Sequence, residues 1–340
     1  MRRGKTKGGL HVIGKRTGMR RNLCCAVVLV VSLLSASMAC ADAPLRFATA
    51  ASGGIWNAMG GVMGEEFGKN GIPVSVTTGG SIPNLVNMSQ GKVDVAFTVL
   101  YPGMSADPEG PFKGQSLENV RLLAHLYPQY VYFVIRKDFA DKNGIATLGD
   151  LFNKKLPFRY ATLARGNITE FLVRQIMDAY GVTEEDFTAW GGRVNYSSYA
   201  DGVNQMADGH VDAYVVSSGL PLSAIMDLES RIDVVLLPFE DEILKKMRER
   251  FGTQAYIIPK GSYKSAVEDI PTVGAMTSMV VRADLPEETV YTMTKLLFEH
   301  RDEMAAAVKA LEALELKTAS EKIEFPFHPG AERYYKEQGF

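Results

Sequence analysis

"VNMSQGKVDVAF" at residues 86–97 is echoed by "VNQMADGHVDAY" at residues 203–214, and this echo decides how the chain is organised. Each stretch reads as the end of a helix, then a glycine (Gly91, Gly209), then an aspartate (Asp94, Asp212) that opens a buried strand. The second copy carries one extra residue in its helix. Both aspartates are read as strand-start architecture, because ligands of open α/β sheets gather at the opposite, C-terminal strand ends.

Outward from the first copy, strand-like and helix-like segments alternate. "LRFATA" precedes a helix from about Trp56 to Lys69, whose Trp56, Met59, Met63 and Phe67 share one face. "PVSVTT", a short helix with Pro83 in its first turn, and "VDVAFTV" complete a βαβαβ unit. The second copy lies in an equivalent series: "LPFRYATL", "ITEFLVRQIMDAYG", "VNYSSY", "ADGVNQMADG" and "VDAYVV". A further echo, "YFVIRKDF" against "SMVVRADL", reads as two connecting strands. The expectation is an α/β protein of two lobes joined by two hinge strands, residues 44–134 with 277–340 in one and 135–276 in the other. A ligand would be caught between the C-terminal ends of the two sheets.

The N-terminus reads as an export signal over residues 1–41. Arg20 and Arg21 precede the apolar run "CCAVVLVVSLL" and the small-residue stretch "SASMACADAP", with cleavage expected after Ala41 and Met19 as an alternative start. The apolar run is 11 residues from Cys24 to Leu34, short of the about 20 that span a bilayer. Cys40 also admits a lipoprotein reading, although Ser37 stands where such sites usually have Leu. All three cysteines fall in this segment, so the exported chain would have no disulfide, thiolate metal site or cysteine nucleophile. The segment holds eight of the 37 basic residues and none of the 39 acidic ones, which leaves a net charge of −10. That balance argues against a nucleic-acid partner and makes attraction of an anion a local matter.

Candidate site residues cluster in loops after strands. "SGGIWN" offers Ser52, Gly53, Gly54, Trp56 and Asn57 at a helix N-terminus, where free N–H groups and the helix dipole favour a carboxylate. Its spacing is neither the dinucleotide fingerprint nor a P-loop. A tight turn capped by Ser52 is the plainer alternative, and Trp56 fits either a cleft wall or the core. "TTGGSIPN" repeats the device with Thr78, Gly79, Gly80, Ser81 and Asn84. In the second series "TLARGNITE" offers Arg165, Gly166, Asn167 and Thr169, with Arg165 as the expected charge partner of a carboxylate or else a rim salt bridge. Arg159 is read as structural. Thr98 and Ser217 stand at strand ends as hydrogen-bond donors. The scattered His125, His210, His300 and His328 do not suggest a metal, and no cofactor or catalytic group is expected. His328 reads as fixing the C-terminal tail.

The stretches "SGGIWNAMG", "TTGGSIPNL", "GKVDVAF", "LYPQYVYFVIRKD", "DGHVDAYVVSSGLP", "TVGAMTSMVVRADLPEETVYTMTKLLFE" and "FPFHPGAERYYKEQGF", in this order, resemble the TAXI family of TRAP-transporter solute receptors. The resemblance implies a type II periplasmic-binding-protein fold, a periplasmic location, a small carboxylate or amino-acid ligand of the glutamate or 2-oxoglutarate kind, and TRAP membrane subunits as partners. Ile55, Trp56 and Asn57 stand where the family usually has Thr-Tyr-Tyr, and Val99 replaces an often polar position. Other readings on the same fold are an ABC-type receptor for a thiamine-precursor-like or sulfonate-like ligand, a ligand sensor, or an enzyme that reuses the two lobes.

Overall fold

A computed structural model describes residues 43–104, 112, 117–322 and 325–340; the expected export signal lies outside these. From Pro44 onward the chain forms one compact unit. Its strands are β1 (Leu45–Ala48), β2 (Val74–Thr77), β3 (Val95–Leu100), β4 (Val120–Arg136), β5 (Arg159–Thr162), β6 (Arg193–Tyr196), β7 (Ala213–Ser218), β8 (Val234–Leu236), β9 (Gln254–Ile258) and β10 (Ile270–Arg282). They run in the order β2-β1-β3-β10-β4-β7-β5-β6, with β8 on β4 and β9 on β10.

Each expected βαβαβ unit forms a three-stranded parallel sheet. In the first, β1 lies between β2 and β3, with α1 (Ile55–Lys69) and α2 (Ser81–Ser89) as crossovers. In the second, β5 lies between β6 and β7, with α3 (Ile168–Ala179) and α4 (Tyr199–Ala207). Parallel strands require such crossovers, and covering both faces explains why every residue of β3 and β7 is buried. The long strands β4 and β10 tie the units together. β10 runs antiparallel to β3 at Met276–Val281, and β4 runs antiparallel to β7 at Tyr130–Ile135. They pair with each other between, from Gly274↔Tyr130 to Arg282↔Val120, with irregularities at Thr277/Ser278 and Met279/Val280. This is the type II periplasmic-binding-protein arrangement.

The repeat extends to side chains. The Arg46 guanidinium donates to both carboxylate oxygens of Asp94 and to the Gly91 carbonyl, while its backbone N–H also donates to Asp94. Arg159 makes the same set of bonds to Asp212 and Gly209. Gly91 (φ 67°) and Gly209 (φ 76°) supply the left-handed turn that aims their carbonyls at these arginines. Both aspartates and Arg159 are therefore structural, as their positions suggested. Asp94 also meets Arg282 at 2.9 Å, so the clamp fastens β3 to β10 as well.

The expected α1 stripe of Trp56, Met59, Met63 and Phe67 is buried in the main core. The stretch beginning "PEETVYTMTKLLFEHRDEM" is divided at His300: α5 (Glu287–Glu299) is followed by Arg301–Ala307 and a 3₁₀ turn at Lys309–Ala313. The division turns Met304, Leu311 and Leu314 back into the core, where a straight helix would carry them away. The tail helix α6 (Pro329–Glu337) is capped by His328, whose Nδ1 accepts from the Gly330 N–H while Nε2 faces the Leu285 carbonyl.

Candidate functional site

Four helices point their N-termini at one place. Ala50, Ala51, Gly54, Ile55 and Trp56 from the start of α1, and Gly80 and Ser81 from the start of α2, face Asn167 and Ile168 of α3 and Tyr199 of α4. Gln129 on β4, Leu163 after β5, and Ser217 and Ser218 at the end of β7 complete the walls. The helices converge because every crossover helix starts just after a strand's C-terminal end, and both parallel units present those ends inward.

The cavity is about 30 Å³, space for one or two water molecules, since roughly 10–15 Å³ holds one. Contacts between the units narrow it. A Cβ added at Gly54 would stand 3.2 Å from Tyr199 Cε2, and one at Gly219 would stand 3.0 Å from Ile55 Cδ1. The Tyr101 hydroxyl, beyond β3, donates to Gln175 Oε1 of α3 at 3.0 Å.

Of the expected site residues, Gly54, Trp56, Gly80, Ser81, Asn167 and Ser217 line this cavity. Four others hold those residues in place. Asn84 is fully buried; its amide donates to the carbonyls of Thr49 and Phe97 at 2.8 Å, and its Oδ1 accepts from the Gly80 N–H. Gly79 must remain without a side chain, since a Cβ there would fall 2.1 Å from Asn84 Oδ1. Thr98 shares a 2.9 Å bond with the Ser81 hydroxyl, which also accepts from Val99 N–H. Thr169 Oγ1 accepts from Ser217 N–H. Ser52, Gly53 and Thr78 are exposed and Asn57 is half-buried, all outside the cavity lining. Ser52 does not cap α1, whose N-cap is Gly54 without a side-chain bond.

The structure does not bring Arg165 into the cleft. Its guanidinium lies 4.9 Å over the Tyr196 ring and lines a separate cavity of about 400 Å³ beside β6. Glu170, in the first turn of α3, lines that cavity too, its carboxylate accepting from the Tyr196 hydroxyl and the Gly166 N–H. The aromatic face and turned-away carboxylate hold the charged part of "TLARGNITE" on the outer side of its loop.

Sequence reasoning missed Gln129 and Tyr199. The repeat contained a signal for Tyr199: Ser198 and Tyr199 follow β6 as Gly80 and Ser81 follow β2. Gln129, in an apolar crossover strand, stood out only by polarity; it accepts from the Ser217 hydroxyl at 3.1 Å. Burial pushes the Tyr199 phenol above its ordinary pKa, so it is a neutral hydroxyl at pH 7. No Arg, Lys, Asp, Glu or His lines the cavity among the described residues. The Trp56 indole N–H is buried and lies against the Tyr127 hydroxyl.

Residues 47–339 match the NMT1-like family. The chain belongs to the NMT1-like family. Among solved structures, this NMT1-like chain is similar to an ancestral arginine-binding protein bound to arginine, at 15% identity and a TM-score of 0.48 over 78% of this chain and 97% of that one. It is also similar to an amino acid ABC transporter substrate-binding protein, AbpA from Streptococcus pneumoniae, bound to L-arginine (13%, TM-score 0.47, 80% and 96% covered). A third similar structure is a Xanthomonas citri protein bound to chloride ion (11%, 0.47, 86% and 95%). Among the described residues, no helix of the NMT1-like chain is long and apolar enough to cross a membrane.

Proposed function

We propose that this protein is a periplasmic solute receptor that encloses a small carboxylate between its lobes, residues 44–134 with 277–340 and residues 135–276. The observation that carries the reading is the convergence of four helix N-termini on one cavity, two of them, at Gly54 and Gly80, without a cap from the N-cap residue's own side chain. Free backbone N–H groups with the positive ends of helix dipoles form an anion site that needs no arginine. A cavity of about 30 Å³ admits no such solute, so entry requires the lobes to part about β4 and β10 and the Tyr101–Gln175 bond to open.

Capture without turnover is the simplest chemistry of this cleft. Ser81 Oγ bonds with Thr98 and Val99 rather than a base, and His125, the partner of Ser278 at 2.7 Å, is buried in the sheet outside the cavity lining. The resemblance to TAXI receptors supports delivery of the solute to TRAP membrane subunits. In a thermal-shift screen of organic acids, the reading expects a rise in melting temperature and one solute bound per chain; catalytic consumption of the best hit overturns it. Arg165→Ala should keep affinity within about twofold, since an exposed ion contact outside the cleft contributes little. A tenfold loss would restore the arginine to the site.

A further inference from the structure

We infer that the second unit carries a ligand site of its own, separate from the cleft, for a small aromatic carboxylate with a hydroxyl group at the end opposite the acid. The inference goes beyond the solute-capture reading and does not depend on it.

The site is the cavity of about 400 Å³ bounded by α3, the helix Glu184–Ala189 and the edge strand β6. That volume lies in the roughly 300–1,000 Å³ range of small-molecule sites, and the cavity shares no lining residue with the cleft. Its inner walls are apolar and aromatic: Val173, Met177, Phe187 and the ring of Tyr160 are all buried. The Phe187 ring is seated against the backbone, because a Cβ added at Gly192 would fall 2.3 Å from its Cε2. Such walls favour a flat apolar ring.

The polar groups then orient that ring. Tyr160 is 5% exposed, with its ring 5.9 Å from that of Phe187. Its hydroxyl makes no hydrogen bond among the described residues and is not one of their sealed polar atoms, so it opens into the cavity that the residue lines. Burial above all, with Tyr196 and the Glu184 and Glu170 carboxylates adding to it, pushes this phenol above its ordinary pKa. At pH 7 it therefore keeps its proton and can donate.

Three arginines and two glutamates line the same cavity. Both carboxylates are answered from within the protein, Glu170 by the Tyr196 hydroxyl and Gly166 N–H, and Glu184 by Arg174 at 3.7 Å. Arg165 lies over the Tyr196 ring, and neither it nor Arg193 forms an ion pair among the described residues. Both are exposed while Tyr160 is buried. The order from solvent inwards is thus unpaired guanidinium, aromatic wall and unpartnered hydroxyl. A carboxylate meets the first, a ring the second, and an oxygen acceptor on the far side of the ring the third.

Isothermal titration of the purified chain with 4-hydroxybenzoate at pH 7 and low ionic strength tests this. One molecule should bind per chain, about fivefold tighter than benzoate, which lacks the oxygen facing Tyr160, and about tenfold tighter than 4-hydroxybenzyl alcohol, which lacks the carboxylate. Tyr160→Phe keeps the ring and removes a hydroxyl that supports no other group, so it should erase the preference over benzoate. Arg165→Gln combined with Arg193→Gln should erase the preference over the alcohol. If none of the three compounds binds, the site is overturned. Binding that both variants leave unchanged overturns it as well, since the compound then sits elsewhere. Either failure leaves cleft capture standing, because the two cavities have no lining residue in common.

Discussion

In the first unit the helices that face the cleft begin at Gly54 and Gly80, which as glycines supply no side-chain cap, and only the Gly80 N–H itself is held by a side chain, that of Asn84. In the second unit the matching helices begin at Asn167 and Ser198, whose side-chain oxygens accept from the N–H groups of Thr169 and Asp201. The two units share strand order, crossovers and the arginine–aspartate clamp, so the contrast lies at the cleft and not in the scaffold. A side-chain cap is worth about 1 kcal/mol. The first unit forgoes that stabilisation at its glycine N-caps, while the second satisfies its own ends and brings Tyr199, Asn167 and Ser217 to the cavity wall.

The largest test of this contrast compares the two asparagines. Asn84 bridges three backbone segments from inside the first unit, so Asn84→Ala should cost about 3 kcal/mol in urea unfolding, by the loss of several buried hydrogen bonds. Asn167→Ala removes one cap and should cost about 1 kcal/mol. Equal losses would mean that both residues are caps, and the distinction between the units would disappear.

Acid should also separate the units. Burial in the first half of the sheet pushes the His125 imidazole down from 6.5 to about 4, whereas His210, in the second unit, is exposed. The unfolded chain takes up the proton first, so stabilisation present above pH 6.5 is lost as pH falls towards 4. The loss approaches about 3 kcal/mol at roughly 1.4 kcal/mol per pH unit. His125→Asn should flatten unfolding free energy over that range, and hydrogen exchange at pH 4.5 should show the first unit opening first. An unchanged slope in the variant would assign the acid sensitivity elsewhere.

The smallest effect sharpens the comparison most directly. Gly80 has extended backbone, and a Cβ there meets nothing closer than Pro83 Cδ at 3.7 Å, so Gly80→Asp fits and gives the first unit the cap that the second already has. Solute affinity should fall about tenfold as the new carboxylate occupies the helix end, with folding stability changed by only a few tenths of a kcal/mol. Retained affinity measured by titration would show that the end of α2 does not hold the solute.

Much of the fold was legible because its signals are local. The stripe of Trp56, Met59, Met63 and Phe67 follows the helical period whatever surrounds it, and the repeated glycine and aspartate reflect a strand start that each unit builds alone. The cleft was legible only in part. Ser81 and Asn84 were picked out by type and position, yet only the fold shows that Asn84 is a strut whose amide ties together Thr49, Phe97 and Gly80. Arg165 looked like the charge partner because it stands in the right loop. Its direction depends on Tyr196, on β6, which no spacing rule connects to it.

The sequence by itself determined the two βαβαβ units, the glycine-led helix starts and the absence of cysteine from residues 42–340. Tertiary structure alone decided which residues share the cavity, that Gln129 and Tyr199 belong to it, and that its lining carries no charge among the described residues. The physical reason is range: periodicity and capping act over a few residues. A cavity is the joint product of strand order, the register of β4 against β10, and packing between segments more than a hundred residues apart.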